Sequence, residues 1–167
     1  MAILEKFEFA KLDACRFVGK RVYAPPGSGE IFGKLWGESG EVFEAIKALD
    51  NFSTDETNDI ALLTFDTYEQ DKLMGYTVGR FMKADCPVPD GLDFIDISST
   101  VVAKGWVRGE FNDMINTAES LISESIKKEP KYTITWAFAA EVYSCETNPN
   151  DGVESVMGYY IACKETL

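Results

Sequence analysis

The sequence contains no histidine. That absence removes Ser-His-Asp and Cys-His catalysis, histidine metal sites and a histidine general base, so any chemistry must run on Glu, Asp, Tyr, Cys, Lys or Arg. Cysteine is sparse: Cys15, Cys86, Cys145 and Cys163 are scattered, with no Cys-x-x-Cys pair, so they read as reduced thiols and no metal or other cofactor is expected. No run of about 18 apolar residues is present to span a bilayer. The start Met1-Ala2-Ile3-Leu4-Glu5-Lys6 lacks the basic and apolar regions of a secretion signal, which sets the expectation of a cytoplasmic protein that does not enter a membrane. Basic residues are also scarce, 16 Lys and Arg against 28 Asp and Glu, for a net charge of -12. Nucleic-acid affinity needs clustered Lys and Arg, so DNA and RNA are not expected partners. An acidic field favours cationic ligands or basic protein partners, although an acidic surface more commonly serves only solubility.

What the sequence does hold is enough apolar residue for a real core. With 167 residues and 46% hydrophobic composition, one domain or two fused half-size modules fit. A worn internal duplication favours the second arrangement, with an offset of roughly 80 residues. Leu73-Met74-Gly75-Tyr76-Thr77-Val78-Gly79 resembles Val156-Met157-Gly158-Tyr159-Tyr160-Ile161-Ala162, and Gly29-Glu30 with Glu44-Ala45-Ile46-Lys47 recurs as Gly109-Glu110 with Glu124-Ser125-Ile126-Lys127. In the first half, near-alternation predicts a strand over Ala10 to Tyr23, ended by Pro25-Pro26-Gly27. Ile31, Leu35, Val42, Ile46 and Leu49 predict a helix weakened, or broken, by Gly33, Gly37 and Gly40. Strands over Ile60 to Phe65 and Leu73 to Lys83 follow. Cys86-Pro87-Val88-Pro89-Asp90-Gly91 is the seam between repeats of about 8–86 and 92–167. The second half predicts strands over Ser99 to Val107, Tyr132 to Tyr143 and Ser155 to Lys164. Its helix carries Phe111, Met114, Ile115, Ala118, Leu121, Ile122 and Ser125 on one face. The pattern predicts an α+β fold: duplicated strand-helix-strand-strand modules forming an antiparallel-dominated sheet, two helices on one face and a groove between them.

The most informative residue is Glu141, an acid inside Trp136-Ala137-Phe138-Ala139-Ala140-Glu141-Val142-Tyr143. A carboxylate in such a stretch must find a hydrogen bond, meet a cation or stay protonated. Strand alternation places Ala137, Ala139, Glu141 and Tyr143 on one face and Trp136, Phe138, Ala140 and Val142 on the other. Small residues beside an acid and a phenol suit a pocket floor if that face is the helix-covered one; otherwise Glu141 is solvated. Arg80 and Arg16 are alternative, purely structural partners for it. Trp36, Trp106, Phe17, Phe81 and Tyr160 are candidate aromatic walls, each individually as well suited to a core. An uncovered apolar face on the Trp136 strand would point to a homodimer rather than a monomer.

Four segments carry a resemblance to the GyrI-like family, the effector-binding domains found fused to AraC-type and MerR-type regulators and as free-standing proteins. They are Val88-Pro89-Asp90-Gly91-Leu92 leading into Ile97, Val102-Ala103-Lys104-Gly105-Trp106-Val107-Arg108-Gly109, Ala140-Glu141-Val142-Tyr143, and Gly158-Tyr159-Tyr160-Ile161-Ala162. The resemblance implies one effector-binding domain over 1–167, with a ligand groove between the helices floored by a glutamate, the position Glu141 occupies. In drug-binding relatives that acid works with aromatic walls on hydrophobic, often cationic molecules. Some free-standing members instead hydrolyse strained cyclopropane-containing compounds. Two departures stand out: no helix-turn-helix stretch precedes the domain, and Glu110-Phe111 replaces the Pro or Tyr common after Gly109.

These readings set three functional expectations. The first is a receptor or sequestering protein for small hydrophobic or cationic molecules, with Glu141 and Tyr143 as polar contacts and Trp36, Trp106, Phe81, Tyr160 and Phe17 as walls. The second is a hydrolase of strained-ring or ester compounds, with Glu141 activating water or attacking and Tyr143 donating a proton. The third is an acidic protein-interaction module such as a gyrase modulator.

Overall fold

The computed structural model describes all residues, 1–167. The chain forms β1 (Ile3–Leu12), β2 (Cys15–Ala24), α1 (Gly29–Gly37), α2 (Gly40–Lys47), β3 (Asp59–Thr64), the single turn α3 (Tyr68–Asp71), β4 (Met74–Lys83), β5 (Asp93–Ile97), β6 (Thr100–Glu110), α4 (Phe111–Lys127), β7 (Tyr132–Tyr143) and β8 (Glu154–Glu165). The fold is α+β, built from antiparallel pairings with helices packed on the sheet. Two compact units result: Asp13–Ser99, and Met1–Leu12 together with Thr100–Leu167. The first strand of the chain therefore joins the unit made by its second half.

In the Asp13–Ser99 unit, β4 pairs with β3 and with β2, and β5 adds to the far side of β2. The predicted single helix is two. Gly37 ends α1, the Ser39 hydroxyl caps its last turn by donating to the Trp36 carbonyl at 2.6 Å, and α2 restarts at Gly40. Both helices turn apolar stripes to the sheet, through Leu35 and through Val42, Phe43 and Ile46. Gly19 and Gly79 are direct cross-strand partners. A Cβ on either would run into the backbone of the opposite strand, so only glycine allows this close approach.

In the other unit, β1 and β8 flank β6, and β7 pairs with β8. Helix α4 lies on this sheet through Met114, Ala118, Ile122 and Ile126, a stripe repeating every four residues and wholly buried. Burying each large side chain of that stripe stabilises the unit by about 1.5–3 kcal/mol, which fixes the helix in place. Ile115, predicted for the same face, is 38% exposed.

Strand β7 departs from plain alternation where its sequence is most aromatic. Its pairing with β8 jumps from Ile134↔Cys163 to Ala139↔Ile161, so the intervening residues bulge out. Trp136 sits in the bulge with φ 57° and is 39% exposed. It does not share the Phe138 face as alternation predicts. Phe138, Ala140 and Val142 on that face are buried within the chain, which removes the basis for a homodimer formed on an uncovered β7.

Candidate functional site

Which way Glu141 points follows from three linked observations. A Cβ built on Gly105 would meet Ile122 of α4, so the Gly105 side of β6 faces the helix. Gly105 is the cross-strand partner of Tyr159, and Tyr159 is the partner of Glu141. Cross-strand partners share a face. Glu141 therefore lies on the helix-covered side of the sheet, part-buried rather than solvated.

The local contacts agree. The Tyr143 hydroxyl donates to Glu141 Oε1 at 2.9 Å. The Tyr143 ring lies 6.1 Å from that of Phe111, the first residue of α4. Tyr159, only 4% exposed, reaches up to the same helix, its hydroxyl donating to Glu119 Oε2 at 3.1 Å. Two carboxylates, two phenols and a phenyl ring thus gather where β7 and β8 meet α4. Ala139, two residues before Glu141 on the same strand face, adds no bulk there.

The two arginines weighed as partners for Glu141 bind other acids. Arg80 Nη2 lies 2.7 Å from Asp59 and Arg16 Nε lies 2.7 Å from Asp96. Arg16 also stacks over Phe94 and donates to the Cys86 carbonyl, tying β2 to β5 and the adjoining loop.

The structure brings Tyr143 to Glu141, and the five candidate walls divide between the two units. Trp106 and Tyr160 project from the reverse side of their sheet, since they alternate with Gly105 and Tyr159. There their rings meet edge to face at 6.1 Å, with Lys104 Nζ 5.1 Å from the Tyr160 centroid. Phe17 and Phe81 form a similar pair, with centroids 5.1 Å apart, buried on the side of the β2–β4 sheet away from α1 and α2. Trp106 and Tyr160 thus sit on the face of their sheet opposite to that of Glu141, and Phe17 and Phe81 pack together within the Asp13–Ser99 unit. Trp36 belongs to α1 of the Asp13–Ser99 unit and packs onto the helix-covered face of that unit's sheet. Its Nε1 donates to the Tyr76 hydroxyl at 2.9 Å while Phe32 stacks on the Tyr76 ring at 4.0 Å.

Tyr159, Glu119 and Phe111 were not singled out from sequence as site residues. A signal for Tyr159 existed in the Met-Gly-Tyr repeat. Tyr76 and Tyr159 occupy the same place in their strands, and each hydroxyl reaches a side chain on its unit's helix.

No protein-family profile matches the chain, and no curated protein sequence does. Solved structures do. SAV2435 bound to tetraphenylphosphonium superposes with a TM-score of 0.69 at 13% identity, covering 96% of this chain and 94% of that one. The C-terminal domain of EcmrR gives 0.59 at 16% identity, covering 96% and 98%. The integron cassette protein VCH_CASS2, from the mobile metagenome of Vibrio cholerae, gives 0.58 at 15%, covering 98% and 99%. The likeness runs over nearly the whole of each chain and shows that this chain shares their fold, as the resemblance drawn from the sequence implied.

Proposed function

We propose that this chain is a cytoplasmic small-molecule-binding protein that receives hydrophobic cations on the α4-covered face of the Met1–Leu12 and Thr100–Leu167 unit, with Glu141 as the charged contact. The orientation of Glu141 carries the reading: a part-buried carboxylate on the helix side of β7, beside Tyr143 and Phe111 and directly opposite Tyr159. A carboxylate in that setting gains most from a cation that leaves its own water behind easily, and aromatic faces add about 0.5–2 kcal/mol each toward such a ligand. SAV2435, which shares the fold, is seen with tetraphenylphosphonium, a permanent cation wrapped in four phenyl rings.

The test is calorimetric. Tetraphenylphosphonium and the neutral triphenylphosphine oxide are titrated into the protein and into its Glu141→Gln variant. Losing the partner of a desolvated charge costs about 1.5–3 kcal/mol, so the cation should weaken by about tenfold or more while the neutral probe changes by less than about twofold. Equal losses for both probes, or none for the cation, would remove the charge role.

A second reading, hydrolysis, draws on the 2.9 Å bond from Tyr143 to Glu141, which joins an acid to a proton-bearing phenol. Glu141-dependent product from strained-ring or ester substrates would favour it. Saturable binding without turnover favours the receptor.

A further inference from the structure

Only β1 and β5 have a single neighbour in the strand order. Strand β5 is five residues long, and Arg21 Nη2 donates to its Phe94 carbonyl at 2.8 Å. Strand β1 is ten residues long, and the backbone of Lys6, Phe7, Glu8 and Phe9 makes no hydrogen bond beyond its ladder with β6. Such an edge presents a row of N–H and C=O groups to another strand. Natural edges are often blunted by charge, which works when a second copy meets like with like. On β1 the charges flanking Phe7 have opposite sign. Lys6 and Glu8 share a face with Trp106 and Lys104 of β6, are exposed, and form no ion pair within the chain. Phe7 and Phe9 lie on the α4 side, half-buried, with ring centroids 5.2 Å apart.

We infer that the β1 edge is a self-complementary docking surface for a second copy of this chain, paired antiparallel about a two-fold axis at Phe7. Such an axis sets each residue against the one equally far on its other side, on the same face. Centring on Lys6 or on Glu8 brings like charges together at the axis. Centring on Phe9 sets Lys6 against Leu12 and Glu8 against Ala10. Centring on Phe7 alone sets each Lys6 against Glu8 of the second copy, with Phe7 meeting Phe7. Each Glu8 then lies between Lys104, its partner on β6, and Lys6 of the other copy. The register shift between Leu4 and Lys6, where Glu5 turns to Arg108 at 2.8 Å, limits the paired stretch, so the dimer is a weak one.

Sedimentation equilibrium over about 1 μM to 1 mM protein reads the association. Each copy carries a charge of -12, which opposes contact at long range, so salt is set at about 0.15 M, where screening acts over about 8 Å. The wild type should dimerise with a dissociation constant of about 10–300 μM. Lys6→Glu and Glu8→Lys should each weaken the dimer by about tenfold or more, since two attractive pairs become two repulsive ones. Glu8→Lys is the decisive variant: it lowers the net negative charge, so general repulsion alone would make its dimer tighter. Mixed in equal amounts, the two single variants should pair with each other within about threefold of the wild type, and the double variant should do so with itself. Both positions are exposed, and an unchanged Tm for each variant shows that the fold is kept. The inference is overturned if Glu8→Lys tightens the dimer, or if neither the mixture nor the double variant restores it. A wild type that stays monomeric to about 1 mM overturns it too, and leaves the edge to a strand from a different protein. None of these outcomes depends on tetraphenylphosphonium, so the ligand proposal stands or falls separately.

Discussion

Substituting Gly105 by alanine tests the seat of α4, on which the whole site depends. Gly105 is the cross-strand partner of Tyr159, and a Cβ there would lie 2.5 Å from Ile122 Cδ1 and 3.3 Å from Leu4 Cδ1. Ile122 is wholly buried. Overpacking of this kind costs about 1–3 kcal/mol. The reduced freedom of the unfolded chain returns about 0.4–1 kcal/mol, leaving a net loss of about 1–2 kcal/mol. For a chain of this length that is a fall in Tm of about 2–8 °C. Ile122→Ala alone should cost about 2–5 kcal/mol through the cavity it opens. Combined, the two changes should largely compensate, because the new methyl occupies space vacated by isoleucine, giving a coupling of about 1–3 kcal/mol. Urea unfolding followed by tryptophan fluorescence in a Trp36→Phe background isolates this unit, since Trp106 and Trp136 both belong to it. Strict additivity of the two substitutions would refute the contact, and with it the inference that Glu141 and Tyr159 look toward α4.

Two pH-dependent outcomes follow from groups outside the site. Burial pushes the Cys163 thiol up to about 11, and burial with the nearby Asp13 and Asp96 does the same for Cys15. Their folded-state pKa is raised, so the stability they contribute is complete below the unfolded thiol range and is lost as pH rises toward 11. The urea midpoint should fall between pH 9 and 11, less so in Cys15→Ala. At pH 8, thiol reagent should titrate the exposed Cys145 well before the three buried thiols, Cys15, Cys86 and Cys163. At the acid end, the hydrogen bond from Arg16 holds the Asp96 carboxyl below its usual range. That stability is present above the unfolded carboxylate pKa and is lost as pH falls through the folded one, so Asp96→Asn should flatten the fall in Tm below pH 4.

How much of this was readable from sequence depended on whether the deciding contact was local. The face of Glu141 relative to Ala139 and Val142 was legible because strand alternation is a two-residue rule and holds from Phe138 onward. The α4 stripe was legible for the same kind of reason. Trp136 was misplaced because a bulge absorbs three extra residues on β7, and nothing local in Thr135-Trp136-Ala137 marks it. The early part of β1 was missed because the adjacent charges Glu5-Lys6 break alternation at a register shift between Leu4 and Lys6. Trp106, Tyr160, Phe17 and Phe81 required cross-strand register to assign a side. A composition rich in aromatics supplies none. Glu119 was invisible because an exposed glutamate on a helix is ordinary until a tyrosine from another element is found reaching it.

The duplication offers a comparison within the chain that separates function from stability at Glu141. Tyr76 and Tyr159 are repeat equivalents. The residue across from Tyr76 on the neighbouring strand is Leu63, whereas the residue across from Tyr159 is Glu141. One repeat therefore keeps this position apolar and buried, and the other keeps it acidic. If the acid were there to hold the fold, replacing it by the solution its own repeat uses should be damaging. If it is there for a ligand, the replacement should be tolerated, because a part-buried carboxylate is exchanged for apolar packing. Glu141→Leu is best combined with Tyr143→Phe, which removes the hydroxyl that would otherwise lose its acceptor and cost about 1–3 kcal/mol. The double variant should unfold within about 1 kcal/mol of the parent, or above it, while tetraphenylphosphonium binding is lost. A stability loss beyond about 3 kcal/mol would mean that Glu141 is a structural acid, its place under α4 set by the needs of the sheet.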